Sequence, residues 1–414
     1  MAEALASKQE DEGGLQSIQG GLGGLLRITG RYDEAETLFR AVLAADIARL
    51  GPDHPTISSA RDNLGSLLIM RGDYEEAESL FRAALASREQ KLGHEHPQVA
   101  TSLNNLAYLL RVTGRYGEAE PMQRDALKVS TAALGPHNSD TAVSLTNLAD
   151  LLREVGRFEE AEPLYREALA IYEAALGRRH AETAIAMNNL AALLMTAGRY
   201  QEAEPLMREV LDINREALGP EHPENATAES NLAQVMLGLG RTDEAEALLR
   251  DALALQRKAG ADEDVGQIAN NLGVVLMSGG RHDEAEPLLR EALAASNDQL
   301  GNARPTTAKM MSSLGVILNA TGREAEAEPL FRDALAVQER ALGRDNPDTA
   351  MSMNNLGAVL RDTGRTAEAE PLFAEALSVL TAKLGPEHPN TKLVAANLKE
   401  IRGMVPVSAT APAN

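Results

Sequence analysis

The chain has no cysteine and no tryptophan, and aromatic residues make up only 3% of it. Without cysteine there can be no disulfide, no thiolate metal site and no thiol nucleophile. Positive charge is also scarce: 40 Lys and Arg stand against 61 Asp and Glu, a net charge of −21. A phosphate-binding surface needs a basic stripe, so this balance argues against nucleic acid and anionic membranes as partners. The acidic balance suits either a solvated outer face or a partner with a basic segment. No run of 18 apolar residues occurs, so no membrane span is expected. Met1 to Gly14 is polar and lacks the apolar stretch of a secretory signal, which makes a cytoplasmic protein the default expectation. Residues 1–13 and 403–414 read as disordered tails.

What the chain does have is a ruler. Asn-Leu-Ala or Asn-Leu-Gly recurs at Asn63, Asn105, Asn147, Asn189, Asn231, Asn271 and Asn355, with a variant at Asn397. A glycine follows eight residues after each Leu except the last, from Gly72 to Gly364. The glycine spacing is 42 residues, with one of 40 between Gly240 and Gly280. A period in this range means hairpins that each pack on their neighbours. The expected fold is all-α: a right-handed superhelical α-solenoid of about nine helical hairpins and a C-terminal capping helix. One array is expected over 14–402, with repeat boundaries near 51, 93, 135, 177, 219, 260, 301, 343 and 385 and the cap at 389–402.

Pro97 to His137 shows the physics of one unit. Leu103, Leu106, Ala107 and Leu110 follow the apolar spacing of an amphipathic helix, here helix A. Gly114 ends it, because glycine accepts the left-handed conformation that a helix C-terminus often needs. Helix B then runs from about Gly117 to Leu134, and Gly135 closes it. Many of the following loops end in His-Pro, which places Pro at the first turn of the next helix, where it is tolerated. Glu precedes Arg by four residues in helix B from Glu36 with Arg40 to Glu328 with Arg332, and these pairs read as structural.

These residues resemble the tetratricopeptide pattern. Leu64-Gly65, Gly72, Tyr74, Ala77, Phe81 and Ala84 match it, as do Leu148-Ala149, Gly156, Phe158, Ala161, Tyr165 and Ala168. The 42-residue period, the Glu-Ala-Glu-Pro-Leu run and the Leu-Gly-x-x-His-Pro loop look like the kinesin light chain type. The resemblance implies a groove lined by helices A in which an extended peptide binds, with the asparagine before the key Leu facing it.

The residues point the same way. Asn is worse than Ala in a helix interior by roughly 0.6 kcal/mol, yet it recurs at one helical position in eight units. A side-chain amide both donates and accepts, which matches the backbone of an extended peptide. The same amides could instead brace neighbouring helices, and both uses can coexist. Ser313 and Gly21 interrupt the ladder, so the groove is expected to be strongest from Asn63 to Asn271. Selectivity is expected from residues three, six and seven positions after the ladder, notably Tyr108, Asp150, Arg153 and Gln234. Seven of the eight histidines lie in or beside the loops between repeats and read as helix-start packing. Loops one repeat apart are too far from each other to share a zinc ion.

No catalytic residue, cofactor site or metal site emerges. The expectation is a non-enzymatic adaptor that binds an extended protein or peptide segment. It is expected to be a monomer, with self-association left open. The alternative is a sensor whose shape changes on peptide binding, with the 40-residue spacing at Lys258 to Asp264 as a joint. An enzyme is the remote third reading.

Overall fold

The computed structural model describes residues 21–24, 26, 31–51, 54–260, 262–300, 305–386 and 388–404. The expected tail at 1–13, residues 405–414 of the tail expected at 403–414, and the first turn glycine Gly30 lie outside these residues; Gly403 and Met404, expected in that tail, instead belong to the last helix. The chain divides into two compact units, Met1–Ile213 and Asn214–Asn414. Among the described residues every regular element is helical.

In the first unit, residues 21–24 and 26 are helical and precede α1 (Tyr32–Leu50). Three hairpins follow: α2 (Pro55–Arg71) with α3 (Tyr74–Leu92), α4 (Pro97–Val112) with α5 (Tyr116–Leu134), and α6 (Ser139–Glu154) with α7 (Phe158–Leu176). Then come α8 (Ala181–Thr196) and α9 (Tyr200–Leu218), and the boundary between the units falls within α9. The second unit contains α10 (Glu224–Gly238) with α11 (Thr242–Ala259), α12 (Asp262–Ser278) with α13 (His282–Leu300), α14 (Pro305–Ala320) with α15 (Glu324–Leu342), and α16 (Pro347–Asp362) with α17 (Thr366–Leu384). The terminal α18 (Pro389–Met404) packs on α17.

The start of each helix A is fixed chemically. His54, His96, His180 and His388 each use Nδ1 to accept the backbone N–H two residues on, at 3.2 or 3.3 Å. Asn138 and Asn346 do the same through Oδ1 at 2.9 and 2.8 Å. With His222, which accepts from the Glu224 N–H at 3.3 Å, five of the seven loop histidines are therefore helix caps, whereas His94 lies against Glu89 and Asp125. At the other end, Gly114 takes φ +75, and Arg115 donates its backbone N–H to the Leu110 carbonyl at 2.8 Å. Together these close the helix in a Schellman-type turn. Where the spacing drops to 40, Gly260 takes φ +68 after α11 and α12 begins two residues later.

The small residue of the ruler tripeptide meets the large residue of helix B in the same hairpin. A Cβ on Gly65 would lie 2.8 Å from Cε1 of Phe81, and one on Gly315 would lie 2.7 Å from Cε1 of Phe331. Where helix B carries Gln123, Met207 or Leu249 instead of Phe, helix A carries Ala107, Ala191 or Ala233. In the first unit Phe39, Phe81, Leu106 and Leu151 belong to one apolar cluster that runs across several repeats, as stacked hairpins require.

The Glu–Arg pairs within helix B form as expected, Arg124 reaching Glu120 at 2.8 Å. A second set was not anticipated. In most repeats the arginine after the turn glycine grips two carboxylates at once. Arg115 donates to Glu118 in its own helix and to Glu78 in the preceding helix B, 2.7 Å away. Arg157 with Glu120 and Arg199 with Glu162 repeat this in the first unit. In the second, Arg281 reaches Glu246, Arg323 reaches Glu286 and Arg365 reaches Glu328. Asp73 breaks the pattern, and Arg71, on the other side of Gly72, compensates by reaching Glu36 at 3.0 Å.

Candidate functional site

The ladder residues sit on one side of the A helices. Seven of them, Asn105, Asn147, Asn189, Asn231, Asn271, Asn355 and Asn397, are half-buried, and Asn63 is exposed. The residue after each is buried in the core, so the amide stands at the border between core and solvent. In each unit this border hollows into a cavity of about 390 Å³.

In the first unit the cavity is lined by Asn105, Tyr108 and Asn147, together with Asn104, Ser130 and Ser144. Asn104 Nδ2 donates to Ser144 Oγ of the next repeat at 3.1 Å. Tyr108 is 43% exposed, so its ring faces solvent at the cavity. The Arg111 guanidinium lies 5.1 Å from its centroid, a cation–π arrangement, and also pairs with Glu154. Among the described residues Asn63, Asn147 and Asn189 have no hydrogen-bond partner. Their amides are open to a ligand.

Asp150 and Arg153 do come together, through Tyr165, a residue of the repeat pattern. Tyr165 on α7 is 1% exposed. Its hydroxyl passes between helices to donate to the Asp150 carboxylate and accepts from Arg153 Nε at 3.4 Å. Burial, and then the Asp150 charge, push the Tyr165 phenol well above the ordinary tyrosine range, so it remains a donor. Both proposed selectivity residues are thereby held in place. The signal was available: Tyr stands where four other units have Phe, and a buried hydroxyl needs a partner.

In the second unit the cavity is lined by Gln234, Asn271 and Asn355 and opens where the ladder is interrupted, at Ser312 and Ser313. Asn271 is braced: its Nδ2 donates to Ser230 Oγ at 3.4 Å, and its Oδ1 accepts from Gln267 at 3.1 Å. Asn355 accepts from Asn354 at 3.3 Å. Asn397 donates to Asn354 Oδ1 at 2.8 Å across 43 residues. The ladder thus holds both kinds of amide, open ones at Asn147 and Asn189 and braced ones at Asn271 and Asn397.

Bracing extends to the residue before the ladder. Asp62 and Arg88 form a buried pair at 2.6 Å. Burial pushes the Asp62 carboxyl up, against the opposing pull of Arg88 and of the Asn105 amide. Among the described residues no group of three or more His, Asp or Glu side chains is placed to hold a metal ion. No helix among them is long and apolar enough to cross a membrane.

A family model of the tetratricopeptide repeat matches residues 15–90, 60–129, 98–174, 182–258, 264–340, 306–382 and 348–403. Among solved structures, repeats of a candidate kinesin light chain from Podosopora anserina are 25% identical, over 50% of this chain and 98% of that one, with a TM-score of 0.42. The apo form of the quorum sensor NprR from B. thuringiensis is 14% identical over 90% of this chain and 99% of that one, with a TM-score of 0.60. A Rap protein complexed with Competence and Sporulation Factor is 14% identical over 94% and 98% of the two chains, with a TM-score of 0.51. These last two likenesses are of fold. No curated protein matches the chain.

Proposed function

The chain belongs to the tetratricopeptide repeat family, and on that premise we propose that it is a non-enzymatic adaptor whose helix-A face holds an extended segment of a partner protein. One observation carries the reading: Asn147 and Asn189 stand half-buried at equivalent positions of successive repeats with no partner among the described residues. Neither amide is among the buried polar atoms that lack a partner, so both face solvent, and a strand of peptide backbone supplies a donor and an acceptor that can replace that water. Tyr108 and the Arg111–Glu154 pair give the same face an apolar plate beside paired charges. The net charge of −21 favours partners with a basic segment.

The test is a random peptide display library panned on the full chain and on Asn147→Ala/Asn189→Ala. Neither amide braces a helix, so the variant should keep its helical signal and melting temperature. At roughly 0.5–1.5 kcal/mol per hydrogen bond, enriched peptides should bind the variant about 5- to 100-fold more weakly. Undiminished binding to the folded variant would refute the reading.

The sensor reading keeps one feature in its favour, the shortened connection at Gly260 between α11 and α12. NprR is a quorum sensor and the Rap protein is complexed with a signalling factor. If this chain acts in the same way, the enriched peptides should change its solution scattering profile. An unchanged profile leaves the adaptor alone.

A further inference from the structure

The cavity of the second unit has polar chemistry that the ladder does not explain. Asn270, one residue before the ladder position on α12, is 8% exposed and lines the cavity. Its Oδ1 is buried and accepts no hydrogen bond. Ser312 stands 42 residues on, at the equivalent position of α14, and also lines the cavity. Its Oγ is likewise buried without a partner. Such atoms are rare in folded proteins and unfavourable when left alone.

Apart from the exposed Gln234 at the rim, most of the other polar groups around the cavity are already engaged. Ser313 donates to the Lys309 carbonyl at 3.1 Å, and Gln338 accepts from Ser352. The two charges at the cavity, Lys309 and Asp348, pair with each other at 2.9 Å. Leu237, Leu249, Val274 and Met351 supply the apolar wall. A charged ligand group would enter without a counter-ion, which is strongly unfavourable. A purely apolar group would leave both orphan atoms unsatisfied. A carboxamide answers both: its NH₂ donates to Asn270 Oδ1 and its carbonyl accepts from the Ser312 hydroxyl.

The space exists because the ladder fails here. Ser313 stands where eight other units carry Asn. The cavity of about 390 Å³ falls within the ~300–1,000 Å³ of ligand-holding clefts.

The geometry points to this cavity as a subsite for a neutral carboxamide side chain, Gln or Asn, of the bound peptide. That the carboxamide belongs to a peptide rests on the function proposed above; the recognition of a carboxamide does not.

The test uses the full chain with ¹³C-methyl methionine, the Met351 resonance being assigned through Met351→Leu. The probes are N-acetylglutamine methylamide and N-acetylglutamate methylamide. The glutamine probe should shift the Met351 resonance saturably, and the glutamate probe should bind at least tenfold more weakly. Asn270→Ala/Ser312→Ala should bind the glutamine probe at least tenfold more weakly than the parent. Alanine already occupies this register at Ala396, so the double variant is expected to fold, which its helical signal checks. Equal binding of the two probes, no shift with either, or undiminished binding by the folded variant would overturn the subsite. Panning separates the two proposals. Enriched peptides that lack Gln and Asn overturn the subsite and leave the groove standing. A selective glutamine shift with no peptide enriched supports the subsite and counts against the groove.

Discussion

At the scale of single residues, the partnership between Gly65 and Phe81 makes a prediction that runs against intuition. Replacing a helical glycine by alanine usually stabilises by ~0.4–1 kcal/mol. Gly65→Ala should instead destabilise by roughly 1–3 kcal/mol, because its Cβ would lie 2.8 Å from a ring that is 1% exposed and has nowhere to go. Gly117→Ala, in the first turn of α5 with open space around it, should stabilise by roughly 0.5 kcal/mol. Adding Phe81→Met to Gly65→Ala reproduces the Ala191–Met207 pair found elsewhere in the chain and should recover part of the loss. Urea unfolding midpoints of the four proteins decide the matter; a neutral Gly65→Ala would show that the ring can move. The ruler tripeptide and its helical register are legible in sequence because they are local. The hydroxyl of Tyr165 on Asp150 and the orphan atoms of Asn270 and Ser312 are not, because each depends on depth and on a neighbouring helix.

At the scale of the element, most of the loop histidines act as caps. His96 Nδ1 accepts from the Gln98 N–H at 3.2 Å, a bond that would otherwise be missing at the start of α4. His96→Ala should cost about 1 kcal/mol, and His96→Asn should cost nothing, since Asn138 and Asn346 already cap the equivalent helices. Chemical denaturation measures both, and equal stability of the two variants would contradict the capping role. The sequence places these histidines at helix starts correctly, yet only the backbone geometry reveals which atom works. The arginine staples were hidden for a different reason. Arg115 and Glu78 are 37 residues apart, beyond any helical-face pattern, and only the stacking of repeats makes them neighbours.

At the scale of the whole molecule, the staples set the response to acid. Arg281, and then Arg250, hold the Glu284 carboxyl down to about 2, from an ordinary value of 4.5. Glu118, Glu160, Glu162, Glu202, Glu286, Glu326 and Glu368 are lowered in the same way, each first by the arginine that donates to it. A carboxylate whose folded value is depressed stabilises the fold above its unfolded value. That stabilisation disappears as pH falls through the folded value. The window is therefore pH 4.5 down to about 2. Burial raises Asp62 and Glu229 instead, which opposes the trend at two positions among the described residues. Because the staples are exposed, solvent screening keeps each contribution small and salt weakens it further. The melting temperature should fall from pH 5 to pH 3, and 1 M salt should shrink that difference. An acid-insensitive melting temperature would mean that the staples contribute nothing.

The pairing of small and large residues across each hairpin also constrains how such a chain can evolve. In four repeats glycine on helix A faces phenylalanine on helix B, and in three alanine faces glutamine, methionine or leucine; Ala149 with Tyr165 and Gly273 with Leu289 depart from that match. An unequal crossover at the Gly-Arg turn can join an alanine-bearing helix A to a phenylalanine-bearing helix B whose surroundings were packed around glycine, and crowd the ring. A crossover at the Leu-Gly-x-x-His-Pro loop moves both halves together. Whole hairpins bounded by that loop are thus the natural unit of duplication, deletion and exchange in this chain, and chimaeras cut there should fold where those cut at the inner turn do not.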